Sequence, residues 1–437
     1  MELSFWNCLE FGNFNVSPKS NDYLEEQIIS SIQSGEYFRN PYPLFAEIRS
    51  ITPVFYSKTI GGWLLTRHQD VDEVLKDAET FSSKGRVLYL LSQLPTEIQS
   101  QVNLLHKHFA TGLAHSDAPE HRRLRGLLAR AFTSKMTEGM RETTRKIARE
   151  LITQTDNEFD FLEDVFTPLP ALVVGTLLGS ERSDIPNLIR WAHAVNGLYE
   201  RGGHISPEKA LAAEKLLAEM REFVLDLVER RRELAKSSEL DASQDVLAGL
   251  VAAERDAGAL SEDELLSTAV TLFVAGHETT THLLGNGFVA LLSDPELWHQ
   301  IKNDATRSHQ FIEEMARFDG SVPRSWRIAK NEARINGVKI AKGDLVLPIL
   351  AAANHDPEVF ANPDKFEPDQ DNKKHLAFGK GVHVCLGAPL ARMEAQEVLM
   401  ALIDLKPKLK LKKPAEALNW RSNMALRGLM TLPVISN

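Results

Sequence analysis

The sequence is poor in several features that define large classes of protein. Only two of its 437 residues are cysteines, Cys8 and Cys385, which are too few for a disulfide-stabilised secreted domain. Apolar runs such as 171–174 end long before the length of a membrane-spanning helix, so we expect no membrane association. Basic residues do not predominate, since 50 Lys and Arg stand against 60 Asp and Glu and the net charge is −10. We therefore expect no nucleic-acid partner, because phosphate binding relies on clustered basic residues.

The N-terminal segment lacks the basic start of a secretory leader. Its aromatic residues, Phe5, Trp6, Phe11 and Phe14, are interrupted by polar and acidic residues, which argues against both a signal peptide and an anchor. The low cysteine content suits a reducing compartment. No repeat or long linker divides the sequence. We predict a cytoplasmic, monomeric protein that forms one domain over residues 1–437.

Short strands are predicted at two places in a sequence that is otherwise mostly helical. The predicted strands are 53–56, 62–66, the two arms of a hairpin over 332–340, and 345–350. The hairpin over 332–340 turns at Asn336-Gly337, a strong turn signal. A helix is predicted to begin at Gln69. The fold class is therefore mainly α with small β-sheets, and the β-containing part lies at about 40–90 and 325–352.

The most informative helix is predicted to begin at Ser261, where Glu264 completes a capping box, and to end near Leu292. About 32 residues at ~1.5 Å each span roughly 48 Å, enough to cross a domain. Apolar residues cover much of its circumference, which predicts burial at the centre. A polar segment, 275–280, interrupts it with a glycine beside threonines. We expect the hydrogen-bond ladder to open there, with a solvated patch or threonine back-bonding as the alternatives.

A glycine-rich loop, Phe378-Gly379-Lys380-Gly381-Val382-His383-Val384-Cys385-Leu386-Gly387, presents one cysteine at the start of a predicted helix. Backbone amides and the helix N-terminus favour a deprotonated sulfur, so we predict a thiolate. Zinc would need further ligands, and a nucleophile would need a paired base, for which His383 has no evident geometry. A thiolate ligand of haem iron and a buried structural cysteine both remain open.

The run from 378 to 387 resembles the haem-binding signature of the cytochrome P-450 family. Two other segments are similar to motifs of that family and occur in the expected order. Residues 117–125 resemble Asp-x-Pro-x-His-x-x-x-Arg, and 275–279 resemble the oxygen-activation motif Ala-Gly-x-Glu-Thr. The likeness extends from about residue 40 to the end. It implies the cytochrome P-450 fold, with a long central helix over the haem, and the soluble, bacterial-type branch of the family.

The resemblance also implies haem b as the cofactor, with Cys385 as the axial ligand of its iron. Haem carries two propionates, which need cationic or hydrogen-bonding partners. The positions implied to bind the cofactor are Cys385, His121, Arg125, Arg327, His383, Phe378, Gly379, Gly381, Ala275 and Gly276. Glu314 and Arg317 match a buried pair behind the haem and are implied to be structural.

Carried over from the family, Thr279 would hydrogen-bond dioxygen and Glu278 would relay protons to it through water, which makes them the implied catalytic residues. The implied activity is a monooxygenase that hydroxylates or epoxidises a small hydrophobic substrate. No flavin or iron–sulfur motif is present, so ferredoxin or flavodoxin with its reductase is the implied electron donor. We expect that donor to bind near Arg122, Arg123, Arg130, Lys380 and Arg392.

Two other functions remain open from the sequence. One is a haem enzyme that couples, desaturates or isomerises its substrate without inserting oxygen, and the other is a haem-binding sensor. Glu278 and Thr279 argue against both, because neither function needs proton delivery. The substrate is not determined, because 85–113 and 201–207, which line the pocket in the family, match no motif. Terpenoid, polyketide, fatty acid and peptide substrates are all compatible with the sequence.

Overall fold

The computed structural model describes residues 18–199, 204–237, 246–255 and 260–436. The predictions made for Cys8, for the N-terminal aromatic residues and for 201–203 lie outside these ranges. Within them, no helix combines the length and the apolar character needed to cross a membrane.

Helices dominate the part of the chain that the structure describes. The α-helices are α1 Pro18–Ser34, α2 Glu36–Arg39, α3 Tyr42–Ile51, α4 His68–Lys76, α5 Arg86–Ser92, α6 Thr96–Gln99, α7 Asn103–Thr111, α8 Glu120–Ala131, α9 Ser134–Gly139, α10 Arg141–Thr153, α11 Pro168–Leu177, α12 Ile185–Asn196, α13 Pro207–Lys236, α14 Val246–Arg255, α15 Glu262–Ser293, α16 Pro295–Asn303, α17 Ser308–Asp319, α18 Leu350–Ala353 and α19 Ala388–Leu405. The strands are β1 Val54–Ser57, β2 Gly62–Leu65, β3 Phe81–Ser82, β4 Glu158–Asp160, β5 Arg327–Ala329, β6 Ala333–Ile335, β7 Val338–Ile340, β8 Leu345–Pro348, β9 Leu409–Leu411 and β10 Pro433–Ser436. The predicted fold class is confirmed.

Helix α15 is the buried centre of the helical part. Ser261 and Glu264 form the predicted capping box, in which each side chain accepts a hydrogen bond from the other residue's N–H. The helix packs against α11, α12 and α17, and Phe273 and Phe288 are fully buried on it. It stays helical through 275–280, so the predicted opening of its hydrogen-bond ladder is wrong. Tertiary packing of its apolar faces outweighs the weak local helix propensity.

The largest sheet joins two distant parts of the chain, with the strand order β1-β2-β8-β5-β3. β1 and β2 form the predicted antiparallel hairpin. β8 then pairs in parallel with β2, with Leu64 opposite Leu347. One face of the sheet packs on α1 and α3, and the other face packs on α4. This arrangement brings residue ranges 54–82 and 327–348 together beside the cysteine loop.

Two smaller sheets complete the β structure. β6 and β7 form the predicted hairpin around Asn336-Gly337. The sheet β4-β10-β9 was not predicted. Its strands have only three or four residues. They pair residues that are far apart in the sequence, such as Val434 with Phe159. Strands this short leave no periodic signal in the sequence.

Candidate active site

The loop that carries Cys385 is closed by its own backbone and by α4. The Cys385 N–H donates a hydrogen bond to the Phe378 carbonyl at 2.9 Å. Gly379 and Gly381 both have a φ of 70°, which disfavours other residues. At Gly381 a Cβ atom would also lie 2.4 Å from the Leu75 carbonyl oxygen of α4. The loop and α4 therefore meet backbone to backbone, and α19 begins at Ala388, as predicted.

The surroundings of the Cys385 thiol act on its pKa in opposite directions. Burial raises the pKa of the Cys385 thiol, and hydrogen bonds from the Gly387 and Ala388 backbone together with the charge of Arg125 lower it without offsetting the burial. A bound metal ion removes the proton of a thiol that coordinates it. The side chain is exposed to the neighbouring cavity, where such coordination can occur.

A cavity of about 460 Å³ lies between the cysteine loop and α15. Cys385 lines it from the loop, and Ala275, Gly276 and Thr279 line it from α15. The other lining side chains are mostly apolar and include Val174, Leu177, Leu272, Leu283, Val322 and Leu350. Ligand sites in proteins have volumes of about 300–1,000 Å³, so this is a cavity of ligand size. Phe378 and Gly379 also line it, whereas Gly381 does not.

Four basic side chains come together in the cavity wall, namely those of His121, Arg125, Arg327 and His383. The rings of His121 and His383 lie 4.1 Å apart between centroids. Burial and then the charges around it lower the pKa of His383 to about 3. Burial also lowers the pKa of Arg327 to about 10, which the charge of Asp117 only partly counteracts.

These four side chains suit an anionic group. No carboxylate of the described residues forms an ion pair with Arg125 or Arg327. A buried charge without a partner is costly, so an anionic ligand would stabilise these two arginines. The two propionates of haem are of the right charge and chemistry, and the Cys385 sulfur opens into the same cavity. The residues present therefore fit haem.

The two implied catalytic residues lie on different sides of α15. Thr279 lines the cavity, and its hydroxyl donates a hydrogen bond to the Ala275 carbonyl at 2.6 Å. Glu278 is buried and is not part of the cavity wall. Its carboxylate accepts a hydrogen bond from Asn196 and lies 3.2 Å from His193 Nε2 and 3.4 Å from an Arg421 nitrogen. The structure therefore does not bring the two side chains together in the cavity.

Glu314 and Arg317 form a fully buried ion pair on α17. Two guanidinium nitrogens lie 2.7 and 2.8 Å from the two carboxylate oxygens. The same guanidinium donates to the carbonyls of Asn354, Pro363 and Lys365 at 2.8 Å each. The pair thus pins the segment that leads into the cysteine loop.

From the sequence, Arg392 has a predicted role only in donor binding, and Glu313, His375 and Arg324 have no predicted role. Arg392 lies over the Phe378 ring at 4.3 Å and donates to Glu313, which also contacts His375 at 3.1 Å. The i, i+3 spacing that identified Glu314 has no counterpart here, because these partners come from three separate segments. Arg324 also lines the cavity and carried no motif.

A cysteine loop that faces a long buried helix across an apolar cavity with one cluster of basic side chains is the arrangement expected of a haem-thiolate protein. The family model "Cytochrome P450" matches residues 63–410. The chain therefore belongs to the cytochrome P-450 family, whose members bind haem b iron through a cysteine thiolate, and it is a monooxygenase of that family.

Characterised relatives cover nearly the whole chain. The 6-deoxyerythronolide B hydroxylase of Saccharopolyspora erythraea is 31% identical over 93% of this chain and 98% of that protein. The mycinamicin IV hydroxylase/epoxidase of Micromonospora griseorubida is 34% identical over 90% of this chain and 94% of that protein. A cytochrome P-450 structure from Chondromyces apiculatus superposes with a TM-score of 0.79 at 30% identity, covering 93% of this chain and 97% of that one.

Proposed function

We propose that the cavity between α15 and the cysteine loop is the site where this monooxygenase inserts oxygen into an apolar substrate. The observation that carries the proposal is that Cys385 and Thr279 line one cavity, from the loop and from α15 respectively. Cys385 is the proposed axial ligand. When bound, haem b supplies a redox-active iron, and a thiolate ligand pushes electron density that favours O–O cleavage.

His121, Arg125, Arg327 and His383 are the proposed partners of the haem propionates. Their burial, their proximity and the lack of an ion pair to Arg125 or Arg327 within the described ranges support this role. Arg327 also donates to the Ser325 hydroxyl at 2.9 Å and to the Trp326 carbonyl at 2.7 Å, which restricts its orientation.

The remaining predicted positions shape the walls of the same cavity. Phe378 and Gly379 on the loop, and Ala275 and Gly276 on α15, would help to hold the haem, since all four line the cavity. Gly381 acts indirectly, by allowing the loop to lie against α4.

Thr279 and Glu278 are the proposed groups for proton delivery, at different points of one route. The Thr279 hydroxyl donates to Ala275, so its lone pairs can accept a hydrogen bond from water in the cavity. Glu278 is proposed to relay protons through water from the opposite side of the helix. His193, whose side chain is 43% exposed, is the contact of Glu278 that connects it to solvent. Rotation of the Glu278 side chain away from Arg421 would then bring its carboxyl towards Thr279.

The proposed substrate is a small, largely apolar molecule of secondary metabolism, which is hydroxylated or epoxidised. The mostly apolar cavity wall supports this class. The two named relatives, a hydroxylase and a hydroxylase/epoxidase, support the reaction type. A single domain, a cytoplasmic location and a monomeric state remain predictions.

A ferredoxin or flavodoxin, with its reductase, is the proposed electron donor. Of the five basic residues predicted to bind it, Arg123 forms an ion pair with Glu264 and Arg392 with Glu313. Arg122, Arg130 and Lys380 are exposed and form the proposed docking patch.

Reversing the charge of Arg122 and Lys380 should slow the first electron transfer in a salt-dependent way, and an unchanged rate would rule out this patch.

Product analysis under isotopically labelled dioxygen tests the proposed reaction. Label in the product supports oxygen insertion. Turnover that yields unlabelled coupled, desaturated or isomerised product would instead support a reaction without insertion. The Cys385→Ala variant is the control, and it should lose both turnover and the thiolate-type absorbance of the reduced carbonyl adduct.

A further inference from the structure

Arg324 is the charged residue of the cavity wall that the cofactor assignment leaves unused. It lies in the segment between α17 and β5. Arg125 and Arg327 are assigned to the haem propionates, and Lys380 is exposed on the loop. Glu394 is the one carboxyl among the described lining residues. Burial raises its pKa well above the usual range, and the charge of Arg324 is not among the influences on it.

Arg324 has no ion-pair partner among the described residues, whereas two neighbouring arginines do. It also borders a smaller pocket that Arg421 and Arg427 line. Arg421 pairs with Glu278, and Arg427 pairs with Asp319. By contrast, the Nη1 atom of Arg324 is buried and has no hydrogen-bond partner among the residues described. Arg324 forms no hydrogen bond or ion pair with the described residues, and it lines the cavity. An unpaired guanidinium in a largely apolar wall is costly, so a ligand that supplies an anion there would be favoured.

Arg324 is not among the charges that shift the pKa values of the four residues proposed to bind the haem propionates. The charges that lower the pKa of His121, after burial, are those of Arg125 and Arg327. The charge of Arg324 instead acts on Arg86 of α5, whose pKa is lowered to about 10, first by burial and then by Arg324. Arg324 and Arg86 are therefore close enough for their charges to interact.

We propose that Arg324 binds an anionic group at one end of the substrate, a carboxylate or a phosphate, while the apolar remainder of the substrate lies in the cavity towards Thr279. The planar guanidinium matches both groups through paired hydrogen bonds. This inference rests on the proposed function, since it names the class of molecule that the same site oxidises. The substrate is then amphipathic, with an acidic end held away from the atom that is oxidised.

Spin-state titration of the purified ferric holoenzyme tests this inference. The ligands are two matched sets: dodecanoate, dodecyl phosphate and dodecanol, and para-butylbenzoate, para-butylphenyl phosphate and para-butylbenzyl alcohol. At least one anionic member should bind about tenfold more tightly than its neutral analogue, equivalent to ~1.4 kcal/mol. The carboxylate and phosphate arms show which group the site prefers.

Variants assign the preference to one side chain. Arg324→Gln should abolish the preference for the anion and leave the affinity for the alcohols unchanged. Arg324→Lys should retain part of the preference. Arg334→Gln is the matched control, because Arg334 is exposed on β6 and lies outside the cavity.

Three outcomes would overturn the inference. They are equal affinity for anionic and neutral ligands in the unmodified enzyme, no binding by any member of either set, and loss of haem from Arg324→Gln, which would make Arg324 a propionate partner. None of these outcomes would contradict the proposed monooxygenase function. That proposal would fail through a different observation, namely the absence of thiolate-type absorbance from the unmodified protein.

Discussion

Gly381→Ala is the substitution for which the structure allows the most specific prediction. A non-glycine residue at a φ of 70° costs roughly 1–2 kcal/mol. In addition, the new Cβ would lie 2.4 Å from the Leu75 carbonyl oxygen and 3.0 Å from the Lys76 Cα atom. Both are backbone atoms of α4, so the contact is relieved only if the loop or the helix moves. Overpacking of this kind typically costs a further ~1–3 kcal/mol.

Gly379→Ala is the matched control for that variant. Gly379 has the same φ of 70°, but its Cβ would meet nothing closer than the His383 carbonyl oxygen at 3.8 Å. We expect Gly379→Ala to lose about 1–2 kcal/mol and Gly381→Ala about 2–5 kcal/mol in denaturant unfolding. Haem content per polypeptide should fall more in Gly381→Ala, because the displaced loop carries Cys385. Equal losses in the two variants would refute the claim that contact with α4 positions the loop.

Three further predictions concern the site and its supports. Thr279→Ala should keep its haem but divert reducing equivalents into peroxide, measured as peroxide per NAD(P)H, whereas Thr279→Ser should stay coupled. Full coupling in Thr279→Ala would remove this residue from the proton route. Arg317→Leu leaves the Glu314 carboxylate buried without its partner and should cost ~3–5 kcal/mol of unfolding free energy. A loss below about 1 kcal/mol would contradict the buried ion pair. Burial raises the pKa of Glu313, but hydrogen bonds from His375 and Arg392 bring it down from 4.5 to about 2. Because that folded-state pKa is depressed, the stabilisation is present above about pH 4.5 and is lost as the pH falls towards 2. Arg392→Gln should therefore flatten the fall in unfolding free energy over that range, and an unchanged slope would contradict the assignment.

Features that depend on neighbouring residues were predictable from the sequence. The capping box at Ser261 and Glu264 predicted the start of α15, and the hairpin at Asn336-Gly337 occurs where it was expected. The cysteine loop and the helix after it were predicted from glycine spacing and helix formers. In each case the signal lies within a few residues of the feature, where local propensity and capping decide the conformation.

Features that depend on distant contacts were not predictable in the same way. The sheet that joins β4 and β10 pairs residues 158–160 with 433–435, which are far apart in the sequence. Adjacent residues of α15, Glu278 and Thr279, take different environments because α12 and the 421–427 segment reach one side of the helix. The motif fixed their order along the chain but not the side chains that surround each of them.

The sequence by itself determined the cysteine loop and the long buried helix, because residue type and short spacing decide both. Only the tertiary structure decided that burial raises the pKa of the Cys385 thiol, and that Glu278 lies on the side of α15 away from the cavity. It also decided that Arg324 lacks a carboxylate partner among the described residues while Arg421 and Arg427 have one. The physical reason is that desolvation and charge pairing depend on contacts between distant segments, and these contacts cannot be read from spacing along the chain.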